Sequence, residues 1–267
     1  MRTPFRAALS RTVGWLADRR IPRPLRAPVY RSYARFTGAD LAEVKEPLAN
    51  HASLGAFFVR TLRDGARPVD LDARTITSPC DGTIQAVGPI ERGSLLQAKG
   101  HSYSLAELLG SAEDARDGDG GSAWTIYLSP RDYHRVHVPA ACTLAAVRRI
   151  SGARYSVAPG VLARRLVLPI NERAVFRLEC GSGLLWLVMV GATNVGRIRV
   201  VGDAELASPP RRFAKAEELA RFEMGSTVVL VAPRGVAAPA AGLAPGTSVR
   251  LGRAIGAWSA VAATARA

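Results

Sequence analysis

Two hydrophobic rhythms divide the chain. Over its first part, positions that can pack recur at helical spacing. Phe5, Ala8, Leu9, Thr12, Val13 and Leu16 form one stripe, flanked by Arg2, Arg6 and Arg11. Thr3 followed by Pro4 reads as an N-cap and a first-turn proline. Pro22 and Pro24 end that stripe, and a second short helix fits 27–36, with Val29, Tyr33 and Phe36 on one face and Arg31 and Arg35 nearby. After residue 50 the helical period is lost. Short Val/Ile/Leu-rich segments alternate with Gly and Pro turns at 75–77, 83–90, 124–128, 136–150, 164–170, 174–179, 184–192, 195–201, 227–232 and 247–251. Strands at this spacing predict an α+β chain in which N-terminal amphipathic helices precede a mainly antiparallel β sandwich or barrel-like core. The division falls at 1–50 and 51–267. Leu105 to Leu109 predicts a short helix, 111–122 an acidic Gly-rich loop, 213–222 a helix or turn, and 233–246 an exposed loop.

Composition narrows the class. With 267 residues, 48% hydrophobic and 22% charged, the chain can bury a real core and is not a disordered one. No run approaches the ~18–20 apolar residues of a membrane span; the most apolar stretch, Leu184 to Ala192, is strand-sized. Cys80, Cys142 and Cys180 are scattered, without a CxxC pair, so a reducing cytosolic setting is the simplest reading. The N-terminus carries charges throughout and no continuous apolar stretch, which argues against a secretory signal.

The net charge of +14 is unevenly placed: residues 1–36 hold nine arginines against one acid, Asp18. The preference for 33 Arg over 3 Lys has the look of codon bias, but that does not explain the missing acids. A basic amphipathic segment suits an anionic membrane surface. The alternative is that both stripes dock on the core. Nucleic acid is set aside, because no aromatic stacking platform or groove-reading motif accompanies the charge.

Candidate chemistry gathers around two of the four histidines. His134 and His137 stand in Tyr127–Pro139, after Ser129-Pro130-Arg131-Asp132, which reads as a capped helical turn running into a strand near Val136. The pair could face one pocket. As a metal site it is weak, lacking an HExxH pattern or a supporting Cys, Asp or Glu. Two further segments, Ser78–Ile84 with Asp81-Gly82 and Phe222–Val231 with Gly225-Ser226-Thr227, are each a turn when read alone. No GxSxG elbow is present.

Taken together, in order, Ser78–Gly82 (SPxDG), Pro130–Pro139 (PxDYHRxHxP) and Gly225–Thr227 (GST) resemble the phosphatidylserine decarboxylase family. Segments 54–70, 97–110, 171–173, 190–198 and 245–256 look similar too, so the resemblance covers roughly 50–256. It implies a precursor that makes its own cofactor. Ser226 is the implied nucleophile, His137 its base and Asp81 the orienting acid. Ser226 attacks the carbonyl of Gly225, the peptide becomes an ester, and elimination leaves a β chain of 1–225 and an α chain of 226–267 that begins with a pyruvoyl group. That ketone is an electron sink. The amine of phosphatidylserine joins it as a Schiff base, CO2 leaves, and His134 is the implied acid that reprotonates the carbon, giving phosphatidylethanolamine. The implied partners are phosphatidylserine in an anionic membrane and the α–β heterodimer, with room for a homodimer. The implied location is the cytoplasmic face of the cell membrane, as a peripheral protein. A decarboxylase of another serine-headgroup lipid, such as an ether lipid, is the close alternative; a serine hydrolase built on the nominal Asp81–His137–Ser226 triad is the more distant one. One departure concerns the cleavage region. The family usually has Lys-Gly-x-Glu-Met-Gly before GST, and here Ala216 and Ala220 replace both glycines, so a position that needs positive φ would force a different turn.

Overall fold

The computed structural model describes residues 17–98, 101–192, 198–201, 210–222 and 226–259. The helical stripe expected over 3–16 lies outside the described residues, as does Gly225.

Helix α1 (Arg23–Thr37) begins earlier than the spacing predicts. Pro24 sits in its first turn, where a missing N–H costs nothing, so this proline opens α1 instead of merely closing what precedes it. Gly38, at φ +81°, ends the helix by donating its N–H to the Ala34 carbonyl. Tyr30 and Ala34 are buried while Leu25, Val29 and Phe36 are exposed, Phe36 at 93%. One side of α1 therefore docks and the other faces out. Tyr33 turns away from its expected stripe and donates to the Pro130 carbonyl at 2.6 Å. The docking side meets the short helix α2 (Leu54–Phe58), whose N-cap Ser53 accepts from the Ala56 N–H. Tyr30, Val44 and Phe57 form a small separate core there, with the Tyr30 and Phe57 rings stacked at 4.5 Å.

The rest is β structure around one large core. Its strands are β1 (Thr75–Thr77), β2 (Gly82–Pro89), β3 (Ser94–Ala98), β4 (His101–Ser104), β5 (Ser122–Leu128), β6 (Arg135–His137), β7 (Cys142–Ile150), β8 (Arg173–Cys180), β9 (Gly183–Gly191), β10 (Ile198–Val200), β11 (Arg211–Phe213), β12 (Glu218–Phe222), β13 (Ser226–Ala232), β14 (Ala237–Pro239), β15 (Ser248–Val249) and β16 (Ala254–Trp258). Eight of them make an open antiparallel sheet in the order β11-β7-β8-β9-β13-β5-β2-β15. It does not close into a barrel, since β11 and β15 stand at its edges. Two three-stranded sheets, β1-β16-β14 and β10-β12-β6, and the β3-β4 hairpin complete the core. Every residue of β13 is buried. Its unbroken run Thr-Val-Val-Leu-Val-Ala after Ser226 suits a strand covered on both faces, and β5 and β9 flank it. Gly82 allows a close approach of β2 to β5: a Cβ there would lie 2.5 Å from the Tyr127 carbonyl oxygen.

Several local expectations give way to tertiary pairing. Segment 164–170 is no strand, because the buried Gln97 side chain takes its backbone partners: it donates to Leu162 O and Arg165 O and accepts from Val167 N–H. Segment 111–122 contains a helix, Ala112–Gly118, capped by Ser111 and carrying Glu113 and Asp114 in its first turn, where acids oppose the helix dipole. Segment 213–222 holds the end of β11, a turn and β12 instead of a helix, because β12 is paired on both sides. The stretch 136–150 splits into β6 and β7, the β3-β4 hairpin was not anticipated, and 233–246 includes β14.

Candidate active site

The histidine pair hangs on the turn before β6. Asp132 Oδ2 accepts from both Ser129 N–H and Ser129 Oγ at 2.7 Å, which closes the turn as a capping box would. The chain then extends, and the Phe222 N–H donates to the His134 carbonyl at 3.0 Å. In extended chain successive side chains alternate. His134, Val136 and Val138 are fully buried on the core side, while Arg135 and His137 lie on the other and are only partly buried. The two histidines thus look to opposite sides of β6 and do not share the single pocket that their spacing suggested.

His134 packs its ring against Phe58, with centroids 3.9 Å apart. Its Nδ1 meets the Asp132 carbonyl at 2.8 Å, and its buried Nε2 has no hydrogen-bond partner. A carbonyl only accepts, so Nδ1 carries the proton and Nε2 presents a lone pair. Burial holds the ring neutral, pushing its pKa down to about 3, with the Arg60 charge adding to this and the Asp132 carbonyl opposing it. A neutral His134 must receive a proton before it can act as an acid.

His137 is fully engaged. Nδ1 donates to the Ala216 carbonyl at 2.8 Å, and Nε2 accepts from the Tyr133 hydroxyl at 3.3 Å. Burial lowers its pKa, while the Ala216 carbonyl, Glu218 and Asp81 pull it back up. Burial raises the Tyr133 phenol well above its ordinary value, so Tyr133 stays a donor. Ala216 holds φ +62°, the left-handed conformation that glycine adopts freely and alanine only with strain. The turn thus keeps a positive φ despite the substitution. Ala220 lies in β12 between Val136 and Val200, in ordinary extended backbone.

Asp81 is buried in a fork of donors. Arg67 Nε lies 2.9 and 3.0 Å from its two oxygens, Arg67 Nη2 2.5 Å from Oδ2, and the Leu251 N–H 2.9 Å from Oδ1. Arg67 also holds Glu43 at 2.8 Å. Asp81 makes no hydrogen bond to His137 and acts on it through space. A cavity of about 350 Å³ opens beside His137, lined by Tyr133, Ala216, Arg67, Leu251, Lys45 and Arg63 among others. Ser226 opens β13 between Leu128 and Gly191, fully buried, and neither its Oγ nor Thr227 Oγ1 has a hydrogen-bond partner. The structure therefore places His137 at the cavity and Asp81 behind two of its lining residues, Arg67 and Leu251, with Ser226 and His134 fully buried and no hydrogen bond joining the nominal triad.

The remaining histidines serve elsewhere: His51 is buried beneath α1, and His101 is exposed in β4. No cluster of three or more His, Cys, Asp or Glu suited to a metal ion occurs among the described residues. Sequence reasoning missed Arg67 and Phe58 as site residues, although both stand in the family-like segment 54–70.

The fold is that of an α+β protein with a serine hydroxyl left free at the head of its central buried strand, β13, and with His134 and His137 before and in β6, which pairs with β12, the strand that precedes β13. Comparison with known proteins narrows the class. The family model for phosphatidylserine decarboxylase matches residues 54–257. A phosphatidylserine decarboxylase proenzyme of Anaeromyxobacter sp. (strain K) is 40% identical over 264 residues, covering 93% of each chain. One from Halorhodospira halophila (strain DSM 244 / SL1) is 44% identical over 252 residues, 89% of this chain and 86% of that protein. One from Myxococcus xanthus (strain DK1622) is 37% identical over 238 residues, 85% of each. The chain belongs to the phosphatidylserine decarboxylase family.

Proposed function

We propose that the chain is a self-processing precursor of a lyase that converts phosphatidylserine to phosphatidylethanolamine and CO2. The observation that carries this reading is Ser226: a fully buried hydroxyl without a partner, at the head of β13, in a chain whose family match spans it. A buried polar group left unsatisfied costs roughly 1–3 kcal/mol, so its retention calls for a chemical reason.

In the proposed cleavage Ser226 Oγ loses its proton and attacks the Gly225 carbonyl carbon; the C–N bond breaks as the C–O bond forms. Loss of the Ser226 α-proton then expels the Gly225 carboxylate, and one water replaces the nitrogen, which leaves as ammonia. Two chains result, 1–225 and 226–267, the second headed by a pyruvoyl group. Residue 226 fits that group, because its Oγ leaves with the Gly225 carboxylate, and losing that unpartnered oxygen breaks no hydrogen bond. When formed, the group supplies an electron sink for the electrons that CO2 leaves behind.

The chain's own residues carry the protons. His137 is the proposed base for Ser226. Asp81 favours its charged form through space, because Arg67 and the Leu251 N–H occupy its oxygens. His134 Nε2 takes a proton from the substrate ammonium and returns one to the carbon that has lost CO2. Phe58 and the surrounding core keep water from that nitrogen.

The outer side of α1 supports a peripheral station on an anionic cytoplasmic membrane surface. Leu25, Val29 and Phe36 are exposed beside Arg23, Arg31 and Arg35. No described helix is long and apolar enough to cross a membrane. Residues 1–50 would then be the membrane-associating part and 51–267 the catalytic core.

Intact mass and turnover test the reading together. Active protein is expected as two chains, the shorter one blocked to Edman sequencing, releasing CO2 from phosphatidylserine in vesicles. Full activity in a single intact chain overturns it, and ester hydrolysis by such a chain indicates a serine hydrolase. Equal turnover of an ether-linked substrate places the specificity in the headgroup alone.

A further inference from the structure

Arg60 is a buried cation without an anion. It is 3% exposed, and no carboxylate lies within ion-pair distance of it among the described residues. Burial opposes its charge, while Tyr33, Asp81, Asp132 and Glu43 favour it from beyond contact distance. A lone guanidinium in the core is costly unless its position is useful. Its place explains the use. Nη2 donates to the Arg131 carbonyl at 3.0 Å and, more weakly, to the Asp132 carbonyl at 3.4 Å. The Asp132 carbonyl is the same one that receives His134 Nδ1–H. The guanidinium lies 5.1 Å from the Phe57 ring centroid, and the next residue, Phe58, packs on His134. From the other end, Tyr33 of α1 holds the Pro130 carbonyl. Three consecutive carbonyls of the turn before His134, at 130, 131 and 132, are thus gripped by two side chains from the α1–α2 unit.

We propose that Arg60 is the positioning residue that keeps His134 in its Nδ1–H form with Nε2 free. This rests on the function proposed above for His134. Arg60 acts in two ways. It orients the Asp132 carbonyl toward Nδ1, and its charge, unneutralised by any contact, disfavours a second proton on the ring. The other charged or titratable groups around His134 are engaged. The Asp132 carboxylate bonds Ser129, Arg135 pairs with Glu218 at 2.8 Å, Tyr33 bonds Pro130, and Arg131 is exposed and 3.8 Å from Asp132. Arg60 Nε and Nη1 are buried without partners, so the residue is not held by a competing bond.

The test reads the ring directly. Nitrogen-15 histidine labelling of the full chain resolves four rings, and His134→Asn identifies the one of interest. The unsubstituted protein is expected to show His134 neutral at pH 6 with the proton on Nδ1. Arg60→Met should give a mixture of tautomers, a protonation midpoint moved to higher pH, and a kcat about tenfold lower with KM unchanged. Arg60→Lys keeps the charge but cannot span the turn, so it should mix the tautomers while leaving the midpoint low. A folded Arg60→Met protein with the original tautomer, midpoint and kcat overturns the proposal. If Arg60→Met does not fold, Arg60→Lys decides, and an unmixed tautomer in it overturns the proposal equally. The ring spectrum needs no turnover, so a failure of the decarboxylase reading is told apart from a failure of this one.

Discussion

The two sides of β6 are built to opposite rules. On the outer side both nitrogens of His137 are engaged at an open cavity, and Asp81 is locked by two residues that line it, Arg67 and Leu251. On the inner side His134 Nε2 is buried and free, and elsewhere in the core, at the head of β13, so are Ser226 Oγ and Thr227 Oγ1. The outer side opens to a cavity, and its bonds fix geometry. The inner side is closed, so a polar atom left free there costs stability. The lesson is that two histidines three residues apart acquire different surroundings from the face each one meets.

The sharpest way to break this contrast is Ser226→Ala. Processing should stop altogether, giving one 267-residue mass. The fold should survive, with stability unchanged or up by about 1 kcal/mol, since a free buried hydroxyl is removed. A Ser226→Ala chain that still splits would place the scissile chemistry elsewhere.

The histidines come next. His137→Ala should leave the precursor intact. His134→Ala should process at least partly, yet turn over substrate some 10²–10⁴-fold more slowly, the usual worth of a positioned proton-transfer group. Gel analysis and CO2 release separate the two steps. Equal defects in both variants would mean that the two sides of β6 do not divide the work.

Asp81→Asn asks whether the outer side is chemistry or scaffold. The Arg67–Asp81 pair is buried, at 9% and 7% side-chain exposure. Breaking such a pair costs about 3 kcal/mol. Urea unfolding should show that loss, and processing should be blocked because His137 loses the charge that favours its protonation. Loss of stability with normal processing would make Asp81 a strut only.

A smaller effect follows from pH. The His134 pKa is depressed from 6.5 to about 3 in the folded protein. Below about 6.5 the unfolded chain therefore binds a proton that the folded one refuses, so this group's contribution is lost as pH falls. From pH 7 to 5 the loss is about 2 kcal/mol. His134→Asn should remove that part of the acid sensitivity of the urea midpoint; an unchanged slope would place a charged ring at 134.

The smallest effect concerns neither side of β6. Replacing Leu25 and Phe36 by Ser should weaken vesicle binding a few-fold, not mimicked by high salt, while processing stays at its original rate. Co-sedimentation equal to the original chain would move the membrane contact away from α1.

How much of this was legible beforehand varies by element. Strands β5, β9 and β13 read clearly, because their apolar runs are long and bounded by Gly or Pro. The catalytic candidates were legible by motif, as residue types in order. Their bonds were not: that Ala216 O holds His137, or that Arg67 holds Asp81, depends on contacts 79 and 14 residues apart. Segments 164–170 and 213–222 were misread because Gln97 and β6, distant in the chain, supplied the hydrogen bonds that local propensity could not foresee. For the basic N-terminal segment the pattern left membrane binding and docking on the core as alternatives, and Tyr30 and Tyr33 tie α1 into the α2 core and the Pro130 turn. A truncation meant to spare the core must therefore end before α1.

By itself the order of residues determined the class of fold, the family, and which side chains are available for chemistry, because periodicity, turn residues and motif spacing are local properties of a chain. Only the tertiary structure decided which lone pairs are free. Whether a histidine nitrogen is bonded, buried or charged depends on the strand face it lies on and on what distant segments bring to it, and the β6–β12 pairing set that for His134 and His137 in opposite ways.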